Sequence, residues 1–204
     1  ESPVHQVTLS DYYICKYEVT QKQWRAFLPT EGKCIVDGED RNKTAMDKLS
    51  WEDAKVFADT LSAITGLQFA LPTEAQWEFA ARGGRTRGYK YAGGNKLDDV
   101  AWYQDNSKGT SHPVKQKQGN ALGIYDMNGN VWEWCSDWYG SYESYPVVNP
   151  TGPEDGDFHV LRGASWSSIP ERLGVANRNN HKTEFRHSRF GMRLVMTIDD
   201  LEAQ

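Results

Sequence analysis

Cysteine is scarce in this sequence, and its scarcity removes several function classes at once. The 204 residues hold three cysteines, Cys15, Cys34 and Cys135. An odd count at wide spacing is neither a disulfide framework nor the ligand rhythm of a zinc site, so at most one pair can form. Long apolar runs are missing too. No stretch approaches 18 consecutive apolar residues, so no transmembrane segment is expected, and no charged, apolar, small-residue leader opens the chain at Glu1. The chain as given is expected to be soluble, with any export signal or lipid anchor left undecided. Basic excess is also absent. Lys and Arg total 23 against 28 Asp and Glu, a net charge of −5, and the cations are dispersed through most of the chain. Neither duplex DNA nor an anionic membrane meets its electrostatic footprint here, and nucleic acid is not an expected partner. No phosphate-cradling Gly-rich loop, HExxH string or Ser-His-Asp order offers a catalytic centre. His5, His112, His159, His181 and His187 are scattered and read as surface or satisfied-core residues.

What is present in excess is Trp and Gly, with eight and 18 copies. Large rings fill volume while Gly lets backbone pass closely, which suits a fold of tight loops better than a helical bundle. Residues 4–20 alternate apolar and polar side chains, the pattern of a half-buried strand or strand pair. Thr20 with Gln23, Ser50 with Asp53 and Thr73 with Gln76 have the spacing of capping boxes and predict three helix starts. The second runs to Gly66 and the third to Gly83–Gly84, while residues 29–48 read as a surface loop containing Cys34. Beyond residue 84 short apolar pieces alternate with Gly, Asn, Asp, Ser and Pro. Short antiparallel strands and long ordered loops are expected there. Two or three helices beside an irregular sheet give the α+β class, in one domain spanning 1–204.

Four strings carry a family resemblance. YYICKYEVTQKQW at 12–24, LPTEAQWEFAARGG at 71–84, GIYDMNGNVWEWCSDWY at 123–139, and VLRGASW at 160–166 followed by FGMRLV at 190–195 resemble the formylglycine-generating-enzyme, or sulfatase-modifying-factor, family. The resemblance covers nearly the whole chain and implies a C-type-lectin-like fold. Family members usually carry a Gly-rich strand with a Met-Gly pair before the position matching Glu1. In the third string, Gly123, Asn128, Gly129 and Asn130 supply turns, and Trp132, Trp134 and Trp138 are expected to anchor loops as core. The same string wraps calcium in the family. The resemblance places its ligands at the Asp126 and Glu133 carboxylates and the Gly129 and Val131 carbonyls, a donor set calcium accepts. The residues by themselves leave open a second account, in which Asp126 caps a turn and Glu133 pairs with an Arg.

The catalytic members of the family oxidise a substrate cysteine through two closely spaced cysteines that bind copper as thiolates. The matching segment here, SSIPERLGVANRNN at 167–180, holds no cysteine, so copper is not an expected cofactor. The iron-dependent sulfoxide-synthase branch needs a His cluster that this chain lacks. Residues 160–195 also resemble the variable region of retroelement-diversified proteins, which end in Asn-rich templates on the same scaffold. Set beside that pattern, Ser167, Ser168, Ile169, Arg172, His181, Phe185, His187, Ser188 and Arg189 stand where Asn would. An AAC codon altered only at its adenines yields Ser, Ile, Arg, His or Phe, so all nine are reachable. Lys182 and Glu184 are not. An ordinary surface loop remains the alternative. Phe185 and Phe190 beside Arg172, Arg186 and Arg189 supply hot-spot chemistry, although Phe190 also reads as core at the start of a closing strand. The expected function is non-catalytic binding of a protein or glycan, displayed outside the cytoplasm or at the cell surface. The alternatives are a formylglycine-generating enzyme and a structural accessory domain of a surface complex.

Overall fold

The computed structural model describes residues 2–28, 42–84 and 88–197. Cys34 and part of the predicted 29–48 loop lie outside them. The three capping boxes form as the sequence predicts. Thr20 opens α1 (Gln21–Phe27), Ser50 opens α2 (Trp51–Thr65) and Thr73 opens α3 (Glu74–Ala81), each side-chain oxygen accepting the N–H three residues on. α2 stops at Gly66, whose φ of 75° is the left-handed conformation that Gly adopts without a Cβ clash. A single turn, α4 (Leu97–Val100), was not expected. It has no side-chain cap and so left no start signal in the sequence.

The strands are β1 (Val7–Thr8), β2 (Tyr12–Ile14), β3 (Phe69–Ala70), β4 (Trp132–Trp138), β5 (Val147–Val148), β6 (His159–Arg162), β7 (Arg178–His181), β8 (Phe190–Gly191) and β9 (Val195–Thr197). Three sheets result among the described residues, in the orders β1-β5, β2-β9-β3 and β7-β6-β4-β8. The pairs β2–β9, β3–β9, β4–β6 and β6–β7 are antiparallel as expected, while β1 pairs β5 and β4 pairs β8 in parallel. β8 reaches β4 from the far end of the chain by a long connection, and no local turn forces the antiparallel sense.

β4 is the structural centre. Trp132 and Trp134 are buried, and the Trp134 indole N–H donates to the Leu49 carbonyl at 3.0 Å. The core-packing reading holds for these two, while Trp138 is half-buried and stacks on His159 with ring centroids 3.7 Å apart. Trp24 stacks on Phe57 where α1 crosses α2, and Trp77 from α3 fills a second cluster with Met127, Cys135 and Val160. Cys15 and Cys135 are free thiols, and Cys135 packs as the small apolar group its neighbours suggested.

Candidate functional site

The scaffold beneath the candidate surface begins at the 126–133 junction. Gly129 has φ 76°, and a Cβ there would lie 1.9 Å from the Trp102 carbonyl oxygen, so the two strands of backbone meet only because Gly has no side chain. The Gly129 N–H donates to Gly163 O at 2.8 Å, Asn130 N–H to Trp102 O at 2.9 Å, and Trp166 N–H to Asn130 O at 2.8 Å. The junction therefore fixes the base from which residue 167 departs. Glu133, fully buried, accepts Arg193 Nε and Nη2, both at 2.6 Å, and the Trp77 indole N–H at 2.6 Å. The Arg pairing is thus observed for Glu133. Asp126, at φ 58°, accepts the Lys115 N–H at 2.6 Å.

Three buried carboxyls, Glu18, Asp126 and Glu133, face one buried guanidinium, Arg193. Burial raises the Asp126 carboxyl to about 6. Burial, together with the charges of Asp126 and Glu133, pushes Glu18 well above the usual carboxylate range, and its Oε1 has no hydrogen-bond partner. Among the described residues no three His, Cys, Asp or Glu side chains are arranged as a metal cage. A calcium ion would draw on the two carboxylates of Asp126 and Glu133 together with the Gly129 and Val131 carbonyls. Three buried carboxyls outnumber the one guanidinium, but both Glu133 oxygens already accept from Arg193 and Trp77, so a cation there would have to share Glu133 with that pair.

Above this base, residues 167–189 are attached to the scaffold mostly through main-chain carbonyls. The frame donors are Gln104 N–H to Ser168 O at 3.1 Å, Trp51 N–H to Thr183 O at 3.0 Å, Lys48 N–H to His187 O at 3.2 Å and Trp132 N–H to Arg189 O at 2.7 Å. The Trp166 indole N–H adds a bond to Ser188 O at 3.2 Å. Every residue type supplies a carbonyl, so none of these five bonds depends on the side chain at the accepting position.

Five of the nine expected surface residues meet through their side chains. His181 stacks on Phe185 with ring centroids 3.7 Å apart, Phe185 lies 6.3 Å from His187, and Arg189 donates to His187 Nδ1 at 3.2 Å and to Ser167 Oγ at 3.0 Å. Burial lowers both imidazoles below their ordinary range, and Arg189 lowers His187 further. The neutral ring can then accept from the guanidinium. Ile169, 45% exposed, follows two residues after Ser167, and Phe185 is 39% exposed. Arg172 is exposed on the short 3₁₀ turn Pro170–Arg172 and shows no contact with this group. Ser168 turns inward, its Oγ accepting the Ser165 N–H at 3.0 Å. Phe190 is 3% exposed, so of its two readings the core one is correct. Arg186 forks onto Asp53 at 2.7 and 3.1 Å and does not stand free beside the aromatics.

Sequence reasoning missed a second ionic network. Arg162 Nη1 and Arg178 Nε both donate to Glu74 Oε1 at 2.6 Å, and Arg178 lies over the Tyr139 and Tyr142 rings at 4.4 and 4.1 Å. It ties β6 and β7 to the start of α3. The available signal was Arg162 itself, a charge inside the apolar string VLRGASW, which demands a buried partner.

Among the described residues no pair of cysteines lies on this surface. Burial raises the Cys15 thiol and pushes Cys135 well above its ordinary value, the opposite of the depression that makes a reactive thiolate.

Short strands, long loops pinned by tryptophans, and chain ends joined where β2 pairs β9 define a C-type-lectin-like fold of the formylglycine-generating type. The chain belongs to the Sulfatase-modifying factor enzyme 1-like domain family, which matches residues 1–198. It is 31% identical to the "Chaperone protein LppX" of Paenibacillus barcinonensis over 79% of this chain and 71% of that protein. It is 35% identical to the Formylglycine-generating enzyme of Streptomyces coelicolor over 74% of this chain and 52% of the enzyme. The chain spans only 35% of the length of the Chlamydia trachomatis serine/threonine-protein kinase Pkn1. Among solved structures, Treponema denticola variable protein 1 superposes with a TM-score of 0.87 at 32% identity, over 95% of this chain and 87% of that one. No helix among the described residues is long and apolar enough to cross a membrane.

Proposed function

We propose that this chain is a non-catalytic binding domain whose contact surface is 167–189, engaging a protein or glycan outside the cytoplasm, with side chains exchanged by retroelement diversification. The observation that carries the reading is the attachment of the segment by carbonyls at 168, 183, 187, 188 and 189. A loop held by its backbone keeps its path while its side chains change, which is what a diversified surface on a rigid scaffold requires. The likeness to a protein named for its variability supports the same reading. Against the enzyme reading stands chemistry: Ser, Pro and Val in 167–180 cannot replace thiolates as Cu(I) ligands.

Incubating the purified chain with Cu(I) and a Cys-containing sulfatase-type peptide tests this. No aldehyde and no stoichiometric copper is the expected result, and turnover to the aldehyde would establish the enzyme. Comparing copies of the gene tests diversification. Differences concentrated at the nine positions, near a reverse transcriptase and a template copy, are expected, whereas a uniform segment would remove that part of the reading.

Calcium at Asp126, Gly129, Val131 and Glu133 is a separate proposal, supported by the surplus buried acid around Arg193. The ion would neutralise that acid and stiffen the junction. A thermal midpoint that rises with added calcium and falls with chelator is expected, and an unchanged midpoint would contradict it.

A further inference from the structure

Between the main-chain anchors at Thr183 and His187 lies the most exposed part of the candidate surface. Phe185 stacks on His181 there, and the one side-chain hydrogen-bonded attachment of this stretch among the described residues is Arg186 to Asp53 on α2. We infer that this pair is a positioning clamp for the binding loop, one that sets the direction of Phe185 and His187 without itself contacting ligand; the inference rests on the binding reading above. Three observations support it.

The geometry is a fork. Arg186 Nε reaches Asp53 Oδ2 at 2.7 Å and Nη2 reaches Oδ1 at 3.1 Å. Two parallel bonds between planar groups fix an orientation as well as a distance. Asp53 is itself held, because its Oδ2 accepts the Ser50 N–H at 3.0 Å and its own N–H donates to Ser50 Oγ at 3.1 Å in the α2 capping box. The clamp thus attaches the loop to the capped N-terminal end of α2.

The pair has little to offer the fold as a whole. The Arg186 side chain is 53% exposed, and ion pairs open to solvent contribute little to global stability. An orienting role is what remains for two well-formed charge-assisted bonds in such a place. Position matters as well. Arg186 stands between two of the nine exchangeable residues, Phe185 and His187, yet is not one of them. A loop fixed at 186 gives the side chains on either side one backbone path to start from, and a preordered loop loses less entropy on binding.

Hydrogen exchange of the full chain, read residue by residue, tests the clamp without knowledge of the ligand. Arg186→Gln should speed exchange at Phe185 and Arg186 by about three- to tenfold, while the thermal midpoint moves by no more than about 2 °C. The Phe185 N–H, bonded to Lys182 O at 3.1 Å, is the direct reporter. Asp53→Asn should behave alike, since an amide oxygen still caps Ser50 but the charge is lost. Arg186→Lys should fall between, keeping charge without the fork. Unchanged exchange in Arg186→Gln would overturn the clamp. So would faster exchange spread over α2 and β4 with a lowered midpoint, which would make the pair structural. Either outcome leaves the binding reading intact, because that reading fails on aldehyde turnover instead.

Discussion

At the scale of single residues, the fold depends on a few positions that admit no alternative. Gly129 is one. With a Cβ 1.9 Å from Trp102 O and φ at 76°, Gly129→Ala forces two backbones apart, and a loss of at least about 3 kcal/mol is expected in denaturant unfolding. Asp137 gives a prediction in pH. Burial raises its carboxyl from 3.8 to about 6, so the folded state resists its ionisation. The stability it contributes is present below its unfolded value near 4 and is lost as pH rises through about 6. Asp137→Asn avoids that loss and can still accept the Glu74 N–H that Asp137 Oδ2 holds at 2.9 Å. The midpoint of the variant minus that of the wild type should therefore increase between pH 4 and 7.5, by an amount corresponding to at most about 3 kcal/mol. A flat difference would show that Asp137 is not held above its ordinary range.

At the scale of elements, legibility in the sequence follows the range of the interaction that makes each one. α1, α2 and α3 could be read because a capping box is a contact between residues three apart. Ser50→Ala tests the strongest of them, with a loss of about 1–2 kcal/mol expected, and a neutral result would mean that the buried start of α2 is held by packing alone. Strands of two or three residues such as β1, β3 and β8 carry too little alternation to stand out. Their partners are set by topology, so the parallel sense of β4 with β8 could not be foreseen. The ionic networks were hidden for the same reason. Glu133 meets Arg193 and Glu74 meets Arg162 and Arg178 across long stretches of chain. Of the nine positions singled out in the sequence, five meet through their side chains, and the main-chain bonds that hold the segment could not be read, because carbonyls leave no mark on a sequence. Arg186 shows the gap best. In sequence it is one more cation beside Phe185, and only the fold brings Asp53 against it.

At the scale of the whole molecule, the proposed function divides the parts into a fixed scaffold and an exchangeable surface. Buried tryptophans, the Gly129 crossing and the Glu133–Arg193 pair hold the scaffold, while 167–189 is tied to it by main-chain bonds and by the side chains of Ser168, Arg178 and Arg186. On the proposed function, the side chains of this surface can be rewritten without harm to the fold. The most direct test is a single variant with Asn at all nine of Ser167, Ser168, Ile169, Arg172, His181, Phe185, His187, Ser188 and Arg189, followed through thermal unfolding. The account predicts one cooperative transition within about 8 °C of the wild type, the sum of small surface effects. Loss of cooperative unfolding, or a fall beyond about 20 °C, would contradict it by showing that those side chains hold the fold together.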